Sequence, residues 1–261
     1  MTHPLVRTGI AITTTLLLAL GTARADYVFK AGDPSLAGFV LGEVPYPPDN
    51  APTAVRVELG QRLFFDPRMS GDGNMSCATC HNPALGWSDG LPTARGVKSS
   101  VLGRASPTVF NTAYNSIQMW DGRKKSLEEQ AMGPMQANVE MNMDIGKLFA
   151  WIGASEGYKA LFARAYPGEP INETTLSKAI ASFERIAISR NAPFDAWVKG
   201  DARALTDQQV EGFKLFVGKG TAWPATAGPT SPTTVFTTWA WPRSPSRSPT
   251  WAAMGKSRCP P

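Results

Sequence analysis

The pentapeptide Cys77-Ala78-Thr79-Cys80-His81 constrains this chain more than any other stretch. Two thiols three residues apart can each add to a vinyl group of a porphyrin, and the histidine that follows them then falls on the iron. Cys-x-x-Cys-His is therefore the attachment pattern of a c-type haem. It predicts thioether bonds at Cys77 and Cys80 and a proximal iron ligand at His81.

Two other readings of the two cysteines are a zinc half-site and a redox disulfide. Zinc needs a second pair of ligands, and the other residues available are Cys259 and His3, at opposite ends of the chain. A thioredoxin-like dithiol needs a βαβ setting, whereas the flanks of this motif carry the loop signals Gly71-Asp72-Gly73-Asn74 and Asn82-Pro83. The pattern and its context favour haem.

Residues 1–25 have the form of a bacterial secretory signal. Arg7 precedes an apolar run from Ile10 to Leu20, and Ala23-Arg24-Ala25 forms a small-x-small cleavage site. The run is too short to span a bilayer, so an uncleaved anchor is the weaker reading and no membrane span is expected. We expect a mature chain that starts near Asp26 in the periplasm.

The net charge of +5 does not indicate nucleic-acid binding. Of the 26 Lys and Arg residues, two lie in the signal and four in the last forty or so residues. Removing those six leaves 20 basic against 21 acidic residues, so residues 26–220 are near neutral. No basic patch of the kind that nucleic acid requires remains.

The chain predicts a mainly α fold. Residues 26–53 are rich in Pro and Gly and are predicted to form an extended N-terminal arm. Strand signals are nearly absent after it. Apolar periodicity and capping patterns predict helices from 54 to about 65, from 126 to a break near Gly133-Pro134, and over 144–152, 156–166, 173–188 and 206–216.

An internal repeat predicts a second unit. Gly60-Gln61-Arg62-Leu63-Phe64 precedes the haem motif, and Gly212-Phe213-Lys214-Leu215-Phe216 repeats its Gly-x-x-Leu-Phe pattern. A second haem motif should follow the second copy, yet none is present. We interpret residues 201–220 as the start of a second domain.

Residues 221–261 are predicted to be a disordered, out-of-frame tail. The segment has no acidic residue and contains four of the eight Trp residues, whereas disordered segments are normally poor in aromatics. Reading one base out of frame, the codons of Thr221 to Thr226 permit Cys-Val-Ala-Cys-His, a second haem motif where the repeat requires one. The hypothesis is a frameshift that removed a second haem site.

Several linked motifs resemble the bacterial di-haem cytochrome c peroxidases and their relatives of the methylamine-utilisation protein MauG type. The resemblance covers roughly residues 54–216. It rests on Leu59-Gly60-x-x-Leu63-Phe64-Phe65-Asp66, Cys77-x-x-Cys80-His81, Ser106-Pro107-Thr108-x-x-Asn111, Trp120-Asp121-Gly122-Arg123, Leu127-Glu128-Glu129-Gln130-Ala131, Gly133-Pro134-Met135 and Val139-Glu140-Met141.

The resemblance implies two cytochrome c-like domains with one haem each, and an active site at the N-terminal haem, here in residues 54–200. It implies that Trp120 relays electrons between the haems and that Glu140 is the distal acid–base for peroxide, with Gln130 and Pro134 lining the same pocket. Without the resemblance, Trp120 reads as an aromatic residue packed on the porphyrin and Glu140 as a solvated acid.

This chain departs from many family members in two respects. His81 is the only histidine of the mature chain, so no distal histidine can occupy the peroxide site. The family's Asn before Ser-Pro-Thr, which helps to bind calcium, is replaced by Ala105, which weakens the expectation of calcium. A methionine could instead supply a sixth ligand and make the chain an electron carrier; the candidates are Met75, Met119, Met132, Met135, Met141 and Met143.

The resemblance implies a haem peroxidase that reduces hydrogen peroxide to water. Its electrons would come from a small periplasmic donor, a cytochrome c or a cupredoxin, and it could form a homodimer. The alternatives are a MauG-like enzyme that oxidises residues of a partner protein, a mono-haem electron-transfer cytochrome, and an inactive truncated product.

Overall fold

The computed structural model describes residues 29–218. The predicted signal peptide 1–25 and the predicted tail 221–261 lie outside the described residues. The α-helices of the described part are α1 Ala54–Phe65, α2 Cys77–Cys80, α3 Leu127–Gln136, α4 Ile145–Ala154, α5 Glu156–Ala165, α6 Glu173–Glu184, α7 Pro193–Val198 and α8 Asp207–Val217. Its 3-10 helices are Pro34–Phe39, Pro67–Met69, Pro83–Leu85, Val97–Ser99 and Thr112–Tyr114.

The prediction of a mainly α fold is confirmed. Between residues 29 and 218 the only β pairing consists of three isolated antiparallel bridges, and no strand forms. Within the same residues no helix is long and apolar enough to cross a membrane. The arm differs from its predicted extended form at Pro34–Phe39, where Asp33 caps a 3-10 helix by accepting a hydrogen bond from the Ser35 amide.

The prediction that α3 breaks near Gly133-Pro134 is wrong, because the helix continues through the proline to Gln136. Proline has no N–H group and normally removes a hydrogen bond from a helix interior. Here the chain turns back after the helix, and the Met141 amide donates to the Pro134 carbonyl at 3.1 Å. The returning segment thus satisfies a carbonyl of the last turn and stabilises the helix end.

Helix α6 is shorter than predicted, since it ends at Glu184 instead of reaching Ile188. The chain continues in a tight turn in which the Ala187 amide donates to the Glu184 carbonyl at 3.0 Å. The Ala187 carbonyl in turn accepts from the Asn111 amide at 2.9 Å. This long-range bond draws the chain out of the helical path, and apolar periodicity could not reveal it.

The main core lies between α1 and α6, with α3, α4 and α5 packed around them. Gly60 of α1 lies at the crossing, because a Cβ at this position would be 1.9 Å from the Ala179 carbonyl oxygen of α6. Only glycine allows the two backbones to approach so closely. Around this crossing the fully buried side chains are Leu59, Leu63, Phe64, Met69, Met135, Ile152, Leu176 and Ile180.

A buried polar network fastens the arm to the helices. The Asn50 side chain donates to Glu128 Oε1 at 3.0 Å and accepts from the Tyr166 and Ser182 hydroxyls at 3.3 and 3.2 Å. Glu128 also accepts two hydrogen bonds from Arg185, at 2.6 and 3.0 Å. Because these groups satisfy one another, the charges of Glu128 and Arg185 are tolerated in the interior.

A second core cluster joins the arm to α7 and α8. Phe213 of α8 is at its centre, with its ring centroid 4.9 Å from that of Phe29 and 5.2 Å from those of Phe39 and Phe194. The Gly32 amide donates to the Trp197 carbonyl at 3.1 Å. The second copy of the Gly-x-x-Leu-Phe repeat, which lies on α8, therefore packs against the arm.

Candidate functional site

The haem-binding motif forms a single helical turn, α2. The Thr79 hydroxyl accepts a hydrogen bond from the Ser76 amide at 3.0 Å, which starts the turn, and the His81 amide donates to the Cys77 carbonyl at 2.9 Å. One turn of helix brings residues three and four positions apart to the same side. Cys77, Cys80 and His81 accordingly line one cavity.

The His81 ring is held through its Nδ1 atom. This nitrogen lies 3.0 Å from the Pro107 carbonyl oxygen and 3.3 Å from that of Trp87. A carbonyl can only accept, so Nδ1 carries the proton and Nε2 keeps a free lone pair. Burial lowers the pKa of His81 and favours the neutral ring. A neutral imidazole with a hydrogen-bonded Nδ1 is the form that binds iron in proteins.

Ser106 and Trp87 support this arrangement. The Ser106 hydroxyl donates to the Cys80 carbonyl at 2.7 Å and lies 3.2 Å from His81 Nδ1. Trp87 is buried, and its ring packs on Phe64 of α1 with centroids 5.8 Å apart. The loop carbonyls that orient His81 are thus anchored on the main core. Sequence reasoning placed Ser106 in a motif but did not assign it this role.

The two thiols differ from those of a redox or zinc site. Each is partly exposed, and both line the cavity. Burial raises the pKa of Cys77 to about 12 and that of Cys80 to about 11. Reactive dithiols have lowered pKa values, because the thiolate is the working form, so the redox reading is disfavoured. Within residues 29–218 no further His, Cys, Asp or Glu side chain joins the two thiols in a cluster that could hold a metal ion, which disfavours the zinc reading.

The cavity has a volume of about 390 Å³, within the range of about 300–1,000 Å³ that is typical of ligand and cofactor sites. The seven site residues that the sequence singled out all contribute to its lining: Cys77, Cys80, His81, Trp120, Gln130, Pro134 and Glu140. Their functional roles stay predictions, but the structure brings them together. Of the methionine candidates for a sixth ligand, Met75, Met119, Met135 and Met141 also line it.

Glu140 is placed by two close approaches of glycine to its main chain. A Cβ on Gly96 would lie 1.8 Å from the Val139 carbonyl oxygen, and one on Gly71 would lie 2.1 Å from that of Asn142. The Val97 amide donates to the Glu140 carbonyl at 2.8 Å. The segment that carries Glu140 is therefore held between two loops that can close on it only because both have glycine there.

The Glu140 carboxyl is half-buried, and burial raises its pKa above the ordinary value of 4.5. Arg123, which also lines the cavity, opposes this shift. Gln130 and Pro134 lie one turn apart on α3 and share the cavity with it. A carboxyl whose pKa is raised toward neutrality is suited to both accepting and returning a proton.

Trp120 lies at the rim of the cavity with 62% of its surface exposed. Its indole N–H donates to the Ala105 carbonyl at 2.9 Å. Beside it, Asp121 pairs with Arg104 and Arg123 at 3.2 and 2.7 Å. An exposed indole that also touches the cavity connects the interior with the surface of the described chain.

The Ser-Pro-Thr motif connects the site with α6. The Thr108 hydroxyl donates to the Gly86 carbonyl at 2.7 Å, and Asn111 Oδ1 accepts from the Ser189 amide at 2.9 Å. Within residues 29–218 no three His, Cys, Asp or Glu side chains cluster in a way that could hold a metal ion. The calcium expectation accordingly gains no support from this part of the chain.

Glu184 is a cavity residue that sequence reasoning missed. It is 6% exposed, and its Oε2 has no hydrogen-bond partner among the described residues. Glu184 follows Ile180 by four positions and therefore shares the apolar face of α6. An acidic residue within that apolar stripe was the signal that could have identified it.

These residues fit a c-type haem. The cavity offers two thiols for attachment, a neutral imidazole with a free Nε2, and mostly apolar walls. Arg104 and Arg123 line it as well and could pair with the anionic propionate groups of a porphyrin.

A family model of the di-haem cytochrome c peroxidases matches residues 54–203, more than half of the chain. This chain belongs to that family. The match confirms the membership that the linked motifs indicated. It includes every residue that was assigned a role at the haem site.

Relatives and solved structures agree with the family. The chain is 46% identical over 177 residues to the methylamine utilization protein MauG of Methylorubrum extorquens, and 42% identical over 165 residues to the cytochrome c551 peroxidase of Pseudomonas aeruginosa. The matched parts cover 67% and 62% of this chain but 50% and 48% of those proteins. The chain thus spans about half the length of the curated relatives it matches.

The fold is similar to that of a MauG-like protein associated with microbial copper homeostasis. That crystal structure matches with a TM-score of 0.68 and 27% sequence identity. The match covers 78% of this chain and 60% of the other. The cytochrome c-like character of the fold is therefore confirmed.

Proposed function

We propose that this chain is the peroxide-reducing haem domain of a periplasmic di-haem peroxidase. The observation that carries the proposal is that the acid Glu140 and the iron-binding ring of His81 line one cavity. In this proposal Cys77 and Cys80 hold the haem covalently, and His81 Nε2 binds its iron. Bound haem supplies the iron at which peroxide is coordinated and which takes up its two oxidising equivalents.

Glu140 moves the proton. Its ionised carboxylate would accept a proton from one oxygen of peroxide and return it to the other oxygen, which would leave as water. Its raised pKa makes that delivery easier, because the protonated form is less costly at neutral pH. Gln130 offers an amide that can orient peroxide, and Pro134 adds an apolar wall that limits water.

Electrons enter by way of Trp120. Two electrons and two further protons reduce one peroxide to two waters, and an exposed indole at the cavity rim is suited to receive electrons from outside. In the intact di-haem arrangement a second haem would lie beyond Trp120. The proposed donor is a small periplasmic cytochrome c or cupredoxin, in keeping with the export signal of residues 1–25.

The test is peroxide turnover by the full chain, produced in a host that attaches c-type haem. Covalent haem is counted first, and turnover is then measured with reduced cytochrome c for the wild type, Glu140→Gln and the matched control Glu169→Gln, an exposed acid outside the cavity. We expect turnover in the wild type and the control and its loss in Glu140→Gln. Haem-loaded chain without turnover would overturn the peroxidase proposal.

A MauG-like oxidation of a partner protein is the second candidate. It is favoured by the 46% identity to MauG and by the lack of any histidine other than His81 in the mature chain, which leaves no imidazole for the distal position. Peroxide consumption that needs an added protein substrate instead of reduced cytochrome c would select it. A low-spin spectrum with a methionine–iron band would instead select the electron carrier.

The frameshift hypothesis concerns residues 221–261, outside the described residues. It is supported by the repeat on α8, which no haem motif follows in the given sequence, and by the out-of-frame reading that restores one. The test is the nucleotide sequence across codons 215–261. An unbroken frame that encodes this same tail would overturn the hypothesis.

A further inference from the structure

Glu184 is a buried acid for which the proposed peroxide chemistry has no use. It is the last residue of α6, is 6% exposed, and lines the cavity together with Ile180 from the same helix. Its Oε2 is buried without a hydrogen-bond partner in the described part of the chain. Burying a carboxyl with an unpartnered oxygen raises the free energy of the folded chain, so its presence at the wall of a cofactor cavity suggests a functional role.

The charges around Glu184 do not neutralise it. Arg185 is its sequence neighbour, but both terminal nitrogens of that guanidinium are hydrogen-bonded to Glu128 of α3. Glu128 itself is a like charge. On the α2 side the Cys77 sulfur interacts with Glu184, and haem attachment would turn that sulfur into an uncharged thioether. The buried residues of α1 are Leu59, Gly60, Leu63 and Phe64, none of which is charged.

Burial raises the pKa of Glu184 to about 8, with Arg185 opposing and Glu128 adding to the shift. The carboxyl is therefore mainly protonated at neutral pH, and a modest change in local charge is enough to ionise it. The charge that changes in such a cavity is that of the cofactor, because ferric haem carries one more positive charge than ferrous haem.

We propose that Glu184 is a proton-binding site coupled to the oxidation state of the haem. Glu184 takes up a proton when an electron enters the cavity and releases it when the electron leaves, so one charge compensates the other. The electron comes from the donor of the proposed function and the proton from solvent. The inference rests on the proposed haem site at Cys77, but it does not depend on peroxide turnover.

Reciprocal linkage gives the expected size of the effect. If the electron raises the proton affinity of Glu184, the proton must raise the electron affinity of the haem by the same factor. A tenfold change in proton activity corresponds to about 59 mV for a one-electron couple, so the midpoint potential can fall by at most about 59 mV per pH unit. Glu184 has one pKa when the haem is ferric and a higher pKa when the haem is ferrous. The midpoint potential falls with pH only between these two values.

The experiment is potentiometric titration of the haem in the full chain from pH 5 to pH 9, after covalent haem has been confirmed. The wild type should show a midpoint potential that falls as pH rises. Glu184→Gln, which keeps the shape but cannot ionise, should hold a nearly constant potential close to the acid limit of the wild type. The control Glu169→Gln should match the wild type.

Glu140→Gln distinguishes the contribution of Glu140 from that of Glu184. This variant should still show a midpoint potential that falls as pH rises. The proposal is overturned if the wild-type potential is independent of pH, if Glu184→Gln keeps the same fall, or if Glu140→Gln removes it. Absence of covalent haem would overturn both this inference and the proposed function. Haem without peroxide turnover would overturn only the latter.

A second measurement covers the case in which Glu184→Gln takes up no haem. Infrared difference spectra of the wild type, reduced minus oxidised, should show the C=O band of a protonated carboxyl in the reduced state, shifted in D₂O. Glu184→Asp should move that band. If the wild type has no such band, the proposal fails without any reference to the glutamine variant.

Discussion

Gly96→Ala should displace Glu140 by colliding with the main chain that carries it. The added Cβ would be 1.8 Å from the Val139 carbonyl oxygen and 2.9 Å from the Glu140 Cα, whereas ordinary contacts begin at 3.4 Å. Relief requires the backbone that carries Glu140 to move by roughly 1.6 Å, the difference between 3.4 and 1.8 Å. The backbone at Gly96 has a φ of −99°, which alanine can adopt, so the collision alone causes the effect.

Two magnitudes follow from this displacement. Overpacking of this kind costs about 1–3 kcal/mol, which for a chain of this size lowers Tm by roughly 2–4 °C per kcal/mol. A misplacement of about 1 Å at a reacting group can cost on the order of 10²-fold in rate. We therefore expect kcat/KM for peroxide to fall about 10²-fold while haem content stays at the wild-type level.

The assay pairs Gly96→Ala with Gly42→Ala. Gly42 is exposed and lies outside the cavity lining, and a Cβ there meets no atom within 4 Å, so this control should retain both stability and turnover. Haem content, Tm and peroxide turnover are measured on the same preparations. Wild-type turnover in Gly96→Ala, or an equal loss in Gly42→Ala, would refute the argument that Gly96 positions Glu140.

Three further changes have distinct signatures. Since burial raises the pKa of Glu140 above 4.5 and the ionised form accepts the proton, wild-type turnover should decline as pH falls through a value above 4.5. Glu140→Gln should lower kcat/KM by about 10²–10⁴-fold and abolish that decline, and an unchanged pH–rate profile would contradict the assignment. Arg185→Ala should cost about 1–3 kcal/mol in denaturant unfolding because it leaves the partly buried Glu128 without its charged partner, whereas Arg62→Ala, in an exposed pair, should cost at most about 0.5 kcal/mol; similar costs would argue against the network. Replacing Cys77 and Cys80 together by alanine should leave no haem bound under denaturing conditions, and haem that remains would point to another attachment site.

Local patterns predicted the elements that depend on neighbouring residues. The start of α6 and that of α8 each follow a capping residue, Asn172 and Thr206, whose side chain accepts from the amide three positions later. Such signals involve residues within one helical turn of each other, so they can be recognised from the sequence alone. The haem motif belongs to the same class, because its three functional residues share one turn.

Features that depend on distant contacts were not predictable in this way. Helix α3 continues through Pro134 to Gln136, where the Met141 amide donates to the Pro134 carbonyl from outside the helix. Beyond the end of α6, the Ala187 carbonyl accepts from the distant Asn111 amide. Gly96 could be recognised only when its contact with Val139 was known. Glu184 was visible as an acid in an apolar stripe, but its unpartnered oxygen is a property of the packed cavity.

The cluster around Phe213 has a consequence for the order of assembly. Phe29 and Phe39 are synthesised early, yet their packing partner lies more than 170 positions later in the sequence. Contacts between such distant segments form late, because a long loop must close before they are gained. The arm therefore packs only after Phe213 has been synthesised, whereas the haem turn and the α1–α6 crossing can form before it. A chain cut after residue 200 would leave Leu36 and Trp197 without Phe213, and its arm would be the part most open to proteases and to association with other chains.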